Sequence, residues 1–313
     1  MQKSDYHQLC QNYSLPIFMQ DWWLESLCGD VWQPCIAYDK KGEPEGVLVY
    51  HTKQKMGLKM ILPLPLTPIS GIWFRYPPNT QKLHTKYNFE LQITEKLIAQ
   101  LPKTHLIIAQ LGFDFSNWLP FFWQGFKQRT RYTYVIENIT NLGVVLANFS
   151  PIVRQNIKKG TDLKVLESEN IDLLFELSEK AIQRGNGKLN YSKETLNTLY
   201  FNIKKNNSGQ IFEVQDPDNE QVAIALIVWD KETAYLLISG DTRKYKNATS
   251  ILTWRVLEFL SKKGIKNFDF EGSMLPHVEP FYHSFGAVQK PYHLIFKAKN
   301  RFLEMLFSLK GII

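Results

Sequence analysis

Apolar and polar positions along this chain change period several times. Short apolar runs stand at PCIAY (34–38) and GVLVYHT (46–52), joined by the turn DKKGEPE. LKMILPLP (58–65) reads as a third strand closed by prolines. From about Lys82 to Leu101 the period becomes helical, with Leu83, Tyr87, Leu91, Leu97, Ile98 and Leu101 on the apolar face. HLIIAQ (105–110) then reads as a strand. After residue 150 the order recurs. QIFEVQ, QVAIALIVW and TAYLLIS are strands, with turns at DPDNE and DKE. A helix from about Ala248 to Lys263 is closed by Gly264, and KNFDF (266–270) is a further strand.

The recurrence extends to residue types. Setting 111–136 beneath 271–296 without a gap aligns Gly112 with Gly272, Pro120 with Pro280, Phe121 with Phe281 and Tyr132 with Tyr292. Both segments read as strand end, glycine turn, short aromatic helix, then strand. The expectation is an α/β (α+β) chain of two tandem domains, 1–145 and 146–313, each a mixed, mostly antiparallel sheet flanked by helices. The stretch 138–150 would link them. The second domain has extra helices at about 151–160, 170–186 and 192–205. The first of these has Ser150 as N-cap, Pro151 at the first helical position and Gly160 past its end.

The order meander, helix, strand, helix, strand resembles the GNAT acyltransferase fold. Two fused copies, with FDFEGS (268–273) and FYHSFGA (281–287), resemble its FemAB-like branch, the peptidyltransferases of cell-wall assembly. That branch has an aromatic-Asp-Phe-Gly-Gly strand end followed by Phe-Lys-x-x-Phe-Gly. IFMQDWWLESL (17–27) and SPIVRQNIKKG (150–160) also look like the openings of its two domains. Tyr282 stands here where the branch has its lysine, and the long helical hairpin of the tRNA-linked members is absent. The resemblance implies an N-acyltransferase, moving an acetyl or aminoacyl group to an amine or hydroxyl of a cell-envelope or polysaccharide precursor. Acyl-CoA is the expected donor. The alternatives are a peptidyltransferase using aminoacyl-tRNA, the less favoured donor, and a non-catalytic binding protein derived from a transferase.

Amine acylation needs a base and donors for the developing oxyanion. Glu271 follows a strand where the sister copy has Leu111, and His283 stands against Trp123. With Tyr282 they are the catalytic candidates; the alternative is a strand end whose carboxylates bond nearby backbone. Ser273 and Phe281 are expected on the substrate side. The loop after TAYLLIS brings Arg243, Lys244 and Lys246 to a helix start at Asn247, Ala248 and Thr249, an arrangement suited to an anion. In GNAT enzymes this position holds the pyrophosphate of coenzyme A, through a glycine-rich turn that this chain lacks. Arg154 and Lys158 share a helix face, and the resemblance places that face beside the substrate cleft. A solvated charged face is the other reading of both clusters.

Other features exclude more than they assign. His277 and His283 are six apart, and neither they nor Glu279 sit in a metal-binding motif, so no metal is expected. Cys10, Cys28 and Cys35 form no disulfide framework, which points to a cytoplasmic location. The N-terminus lacks an apolar core followed by a small-residue cleavage site, so no signal peptide is expected. No apolar run is long enough to span a bilayer. The net charge of +7 favours anionic partners without naming one, and the basic residues follow no RNA-binding motif. The six tryptophans of the first half are expected mostly in the core. The basic, amphipathic tail 300–313 is expected to cover a sheet, with peripheral membrane contact as the alternative.

Overall fold

The computed structural model describes residues 2–78, 82–160, 162–272, 274–276 and 278–309. The chain forms two compact units, residues 1–131 with 291–313, and residues 132–290.

The first unit opens with helices α1 (Gln2–Asn12) and α2 (Asp21–Cys28). The expected meander follows as β1 (Trp32–Tyr38), β2 (Pro44–Lys55) and β3 (Leu58–Ile61), all antiparallel. A short strand, β4 (Ile72–Phe74), pairs with β2. Helix α3 (Leu83–Ala99) buries Ile93 and Leu97, whereas Leu83 and Tyr87 of the expected apolar face are exposed. Strand β5 (Leu106–Leu111) lies parallel to β3, and α4 (Leu119–Trp123) leads to β6 (Lys127–Ile136). Trp23 and Trp32 are buried as expected, but Trp123 is not.

The second unit holds α5 (Leu142–Asn148), where a linker was expected; Asn141 caps it by accepting from Val144 N. Helix α6 (Pro151–Lys159) starts at Ser150, whose hydroxyl accepts from Val153 N at 3.3 Å. Strand β7 (Lys164–Ser168), helices α7 (Ile171–Arg184) and α8 (Lys193–Lys205), and strands β8 (Gly209–Gln215), β9 (Gln221–Trp229) and β10 (Thr233–Asp241) follow. Helix α9 (Ala248–Lys262) buries Val256, Leu257 and Leu260 in a core shared with Ala223, Ala225 and Ile227 of β9. Strand β11 (Asn267–Asp269) and helix α10 (Glu279–Ser284) complete the unit. The chain then returns to the first unit through β12 (Val288–Ala298) and α11 (Arg301–Leu309).

The repeat is visible element by element: β5, α4 and β6 recur as β11, α10 and β12. The last strand of each copy, however, pairs in the other unit. Val135 and Ile136 of β6 pair antiparallel with β11, and His293 to Ala298 of β12 pair antiparallel with β5. Helix α11 then covers β5 and β12, burying Leu303 and Phe307 against Met60, Leu106, Ile108, Leu294 and Phe296. The units therefore differ from the expected halves 1–145 and 146–313 because strand exchange makes the first unit discontinuous in sequence.

Candidate acyl-transfer site

In the second unit β10 and β11 pair in parallel over only three residues, from Thr233–Asn267 to Tyr235–Asp269. Strand β10 runs on to Asp241 against β9 alone, with an irregular register between Leu236 and Ile238 that fits a bulge. Beyond Tyr235 its other edge has no strand partner among the described residues. A cavity of about 120 Å3 opens there, lined by Leu236, Ser239, Gly240, Phe268, Phe281 and Thr249 of α9. An unpaired strand edge above an apolar wall can receive an extended chain carrying amide groups. Gly240 lets α7 lie directly on this strand: a Cβ there would meet the backbone of Leu177 at 2.4 Å.

The basic loop divides. Lys244 Nζ lies 2.7 Å from Asp216 and 2.6 Å from Glu220, so its charge is already balanced. Arg243 and Lys246 stay exposed without ion-pair partners among the described residues. Asn247 precedes α9 without a side-chain cap, Ala248 is buried, and Thr249 lines the cavity. Arg154 is used elsewhere: its Nη1 donates to the carbonyls of Ala147 and Phe149, both at 2.8 Å, closing the end of α5. Lys158 is exposed on the next turn.

At the end of β11 two carboxyl groups come together. Asp269 is buried, and its Oδ1 accepts from the Thr133 hydroxyl and, at 2.7 Å, from Glu271 N. Burial pushes its pKa up to about 6 against the lowering effect of those bonds. Glu271 has φ +59°, a left-handed conformation that costs a side-chain-bearing residue about 1–2 kcal/mol. The next residue, Gly272, has φ +63°, and a Cβ there would meet Tyr132 O, so the turn lies tightly on β6. Although Glu271 is part-exposed as a residue, its Oε1 is enclosed and accepts no hydrogen bond. Burial, then the neighbouring Asp269, hold its pKa well above the carboxylate range.

Tyr282, on α10, joins this pair. Its hydroxyl is pushed up to about 12 by burial and then by Glu271 and Asp269, so it remains a donor at neutral pH. Its ring packs on Phe270 at 5.0 Å and on Tyr134 at 5.7 Å, and the hydroxyl makes no hydrogen bond among the described residues. Phe281 lines the cavity and packs on Phe285 at 5.0 Å. His283 is exposed. Ser273 and His277 lie outside the described residues. One network escaped the sequence reading: Gln289 Nε2 donates to the Tyr134 hydroxyl at 2.6 Å, which donates to Glu279 at 2.9 Å. Nothing in local sequence links residues 155 and 145 positions apart; the place of β6 in the sheet, next to β11 and β12, brings Tyr134 to them. Among the described residues no cluster of three or more His, Cys, Asp or Glu is placed to hold a metal.

A family model of the acetyltransferase (GNAT) domain matches residues 148–279, within which strands β10 and β11 and the carboxyl pair lie. No curated protein matches the chain. Among solved structures it is similar to FemX, at 12% identity and a TM-score of 0.70, with 98% of each chain covered. It is also similar to L-PGS from Bacillus licheniformis, at 11% identity and a TM-score of 0.58, covering 99% of this chain and 96% of that one. A tandem GNAT protein from the clavulanic acid biosynthesis pathway gives 9% identity and a TM-score of 0.51, covering 94% and 93%. The chain has the FemAB-like fold of the GNAT superfamily, in its tandem form. The matched domain supports an enzyme of the acyltransferase class.

Proposed function

We propose that the second unit transfers an acyl group to an amine, or a hydroxyl, with Glu271 as the general base. The observation that carries this reading is the Glu271 carboxyl: enclosed, unpartnered at Oε1, and held on left-handed backbone. A buried acid retained against strain and desolvation is what a base of raised pKa requires. The acyl donor lies along the free edge of β10, its carbonyl toward Tyr282. The nucleophile's lone pair attacks the carbonyl carbon while Glu271 takes its proton. The Tyr282 hydroxyl donates to the oxyanion. Collapse breaks the bond to the leaving group, a thiolate or alkoxide, which takes a proton back from Glu271. Asp269 positions Glu271 through its backbone N–H.

Acyl-CoA is the favoured donor. Ser239, Gly240 and Thr249 line the slot for its extended arm, and Arg243 and Lys246 remain available for its phosphates. An aminoacyl ester such as aminoacyl-tRNA is the second reading, favoured by the similarity to FemX and to a lysylphosphatidylglycerol synthetase domain, the latter with a TM-score of 0.56. The acceptor is a small-molecule, glycan or peptide precursor of the cell envelope. The free cysteines Cys10, Cys28 and Cys35 support a cytoplasmic site of action. Radiolabelled acetyl-CoA and aminoacyl-tRNA are offered separately with a panel of UDP-sugar and peptide precursors, to the native chain and to Glu271→Gln. Transfer by the native chain and a loss of 10²-fold or more in the variant are expected. Equal turnover by both would remove Glu271 from the mechanism.

A further inference from the structure

The first unit carries a second concave region of different chemistry, independent of the acyl-transfer reading. A cavity of about 510 Å3 is lined by Lys103, Thr104, His105, Gln124, Lys297 and Lys299, with Glu95 the only carboxylate among its lining residues. Lys297 Nζ donates to Gln124 O at 2.6 Å, which ties the end of α4 to the end of β12 at the rim. His105 Nδ1 accepts from Lys59 N at 3.1 Å. Lys103 and Lys299 are exposed and have no ion-pair partner among the described residues. Thr104 Oγ1 is enclosed and makes no hydrogen bond.

Two short helices flank the lining segments in sequence, α4 ending just before Gln124 and α11 starting after Lys299, and each has apolar residues on its exposed side as well as its buried side. Helix α4 buries Pro120 and Phe121 but presents Leu119, Phe122 and Trp123 to solvent, spaced i, i+3, i+4. Helix α11 starts two residues after Lys299. It buries Leu303 and Phe307 but presents Phe302, Met305 and Leu309, spaced i, i+3, i+7. All six outward residues are at least 45% exposed. The inner faces already cover the sheet; of the outer residues Phe122 packs edge-on against Trp118 at 5.5 Å, and all six stay exposed. Lys127 Nζ bonds Glu304 of α11 at 2.5 Å, close behind the end of α4, which neutralises the carboxylate between the inner and outer faces. Arg301 stands exposed beside Phe302. Aromatic and aliphatic stripes bordering a cationic hollow match a surface that is apolar inside and anionic at its rim.

We propose that this end of the first unit docks on an anionic lipid surface. The outer stripes of α4 and α11 enter the boundary between headgroups and acyl chains, and the hollow between Lys103 and Lys299 receives an acidic headgroup phosphate. Helix α11 thus covers a sheet with one face and meets the membrane with the other.

The test is flotation of the full chain with phosphatidylcholine vesicles, with and without phosphatidylglycerol. Capture by the phosphatidylglycerol vesicles and release at high salt are expected. Lys103→Gln with Lys299→Gln should weaken capture by roughly five-fold for each charge removed. Phe302→Ser with Met305→Ser should weaken it at least as much at any salt, whereas Phe201→Ser, exposed on α8, should leave it unchanged. Circular dichroism checks that each variant is folded. Capture that ignores both double variants, or no capture at all, overturns the proposal. So does inorganic phosphate raising the melting temperature through Lys103 and Lys299 without vesicle capture, which would make the hollow a free-anion site. Concentration-dependent dimers lost in Phe302→Ser with Met305→Ser, without vesicle capture, would assign the stripes to self-association.

Discussion

Replacing Glu271 by glycine is expected to make the protein more stable and inactive at once. Three effects set the size. Left-handed backbone at φ +59° costs glutamate about 1–2 kcal/mol, a cost that glycine does not have. Enclosing a carboxyl whose Oε1 has no partner costs about 1–3 kcal/mol more. Against these, glycine loses about 0.5–1 kcal/mol of extra chain entropy on folding. The balance is a gain of about 1–4.5 kcal/mol. In a unit spanning residues 132–290, each kcal/mol moves the midpoint by about 2–4 °C, so Tm should rise by about 2–18 °C. Glu271→Gln keeps the strained backbone and a buried polar group, and should leave Tm within about 2 °C of native. Differential scanning calorimetry on the three proteins at neutral pH measures this, with acyl transfer assayed on the same samples. A lower Tm for Glu271→Gly would mean that the carboxyl has a partner that stabilises it, and the reading of an acid held for function would fail. Undiminished transfer by Glu271→Gly would refute the catalytic half.

The carboxyl pair also sets a pH dependence. Because the folded state raises Asp269 from 3.8 to about 6, it keeps a proton that the unfolded chain has lost; stability should fall as pH rises between those values, and Asp269→Asn should flatten that fall in denaturant titrations. Glu271 acts in the same direction, so acyl transfer should rise with pH through a value above the usual carboxylate range, and Glu271→Gln should lack that rise. Gly240→Ala places a methyl 2.4 Å from the Leu177 backbone and should cost about 1–3 kcal/mol by urea unfolding. Arg154→Ala removes two bonds to the end of α5 and should cost about 1 kcal/mol, with donor Kd unchanged; a weaker Kd would return Arg154 to the substrate side.

Local periodicity alone located most of the framework. The meander β1 to β3, strand β5, helix α9 and strands β8 to β10 stand where short apolar runs and helical spacing placed them, because runs such as QVAIALIVW are buried along almost their whole length. The caps Ser150 and Gly264 were equally legible, since they bond within a few residues. The elements missed had weak local signals. Strand β7 is a short strand with polar residues on both faces, and α5 carries Gly143 inside its first turn.

The site was legible in composition and not in geometry. Glu271 stood out because its sister position is Leu111, and Tyr282 because a lysine is expected there. The sequence determined that there are two copies of one α/β unit and which copy holds the polar residues. Only the tertiary structure decided that Lys244 is balanced by Asp216 and Glu220, that Arg154 closes α5, and that His283 faces solvent. It also decided that each copy ends in the other's unit. Pairing between strands as far apart as β5 and β12 leaves no local trace, because either copy offers an edge of the same hydrophobic pattern. Likewise, the left-handed turn at Glu271 and Gly272 lies so close on β6 that a Cβ at Gly272 would meet Tyr132 O, a proximity that no sequence period connects.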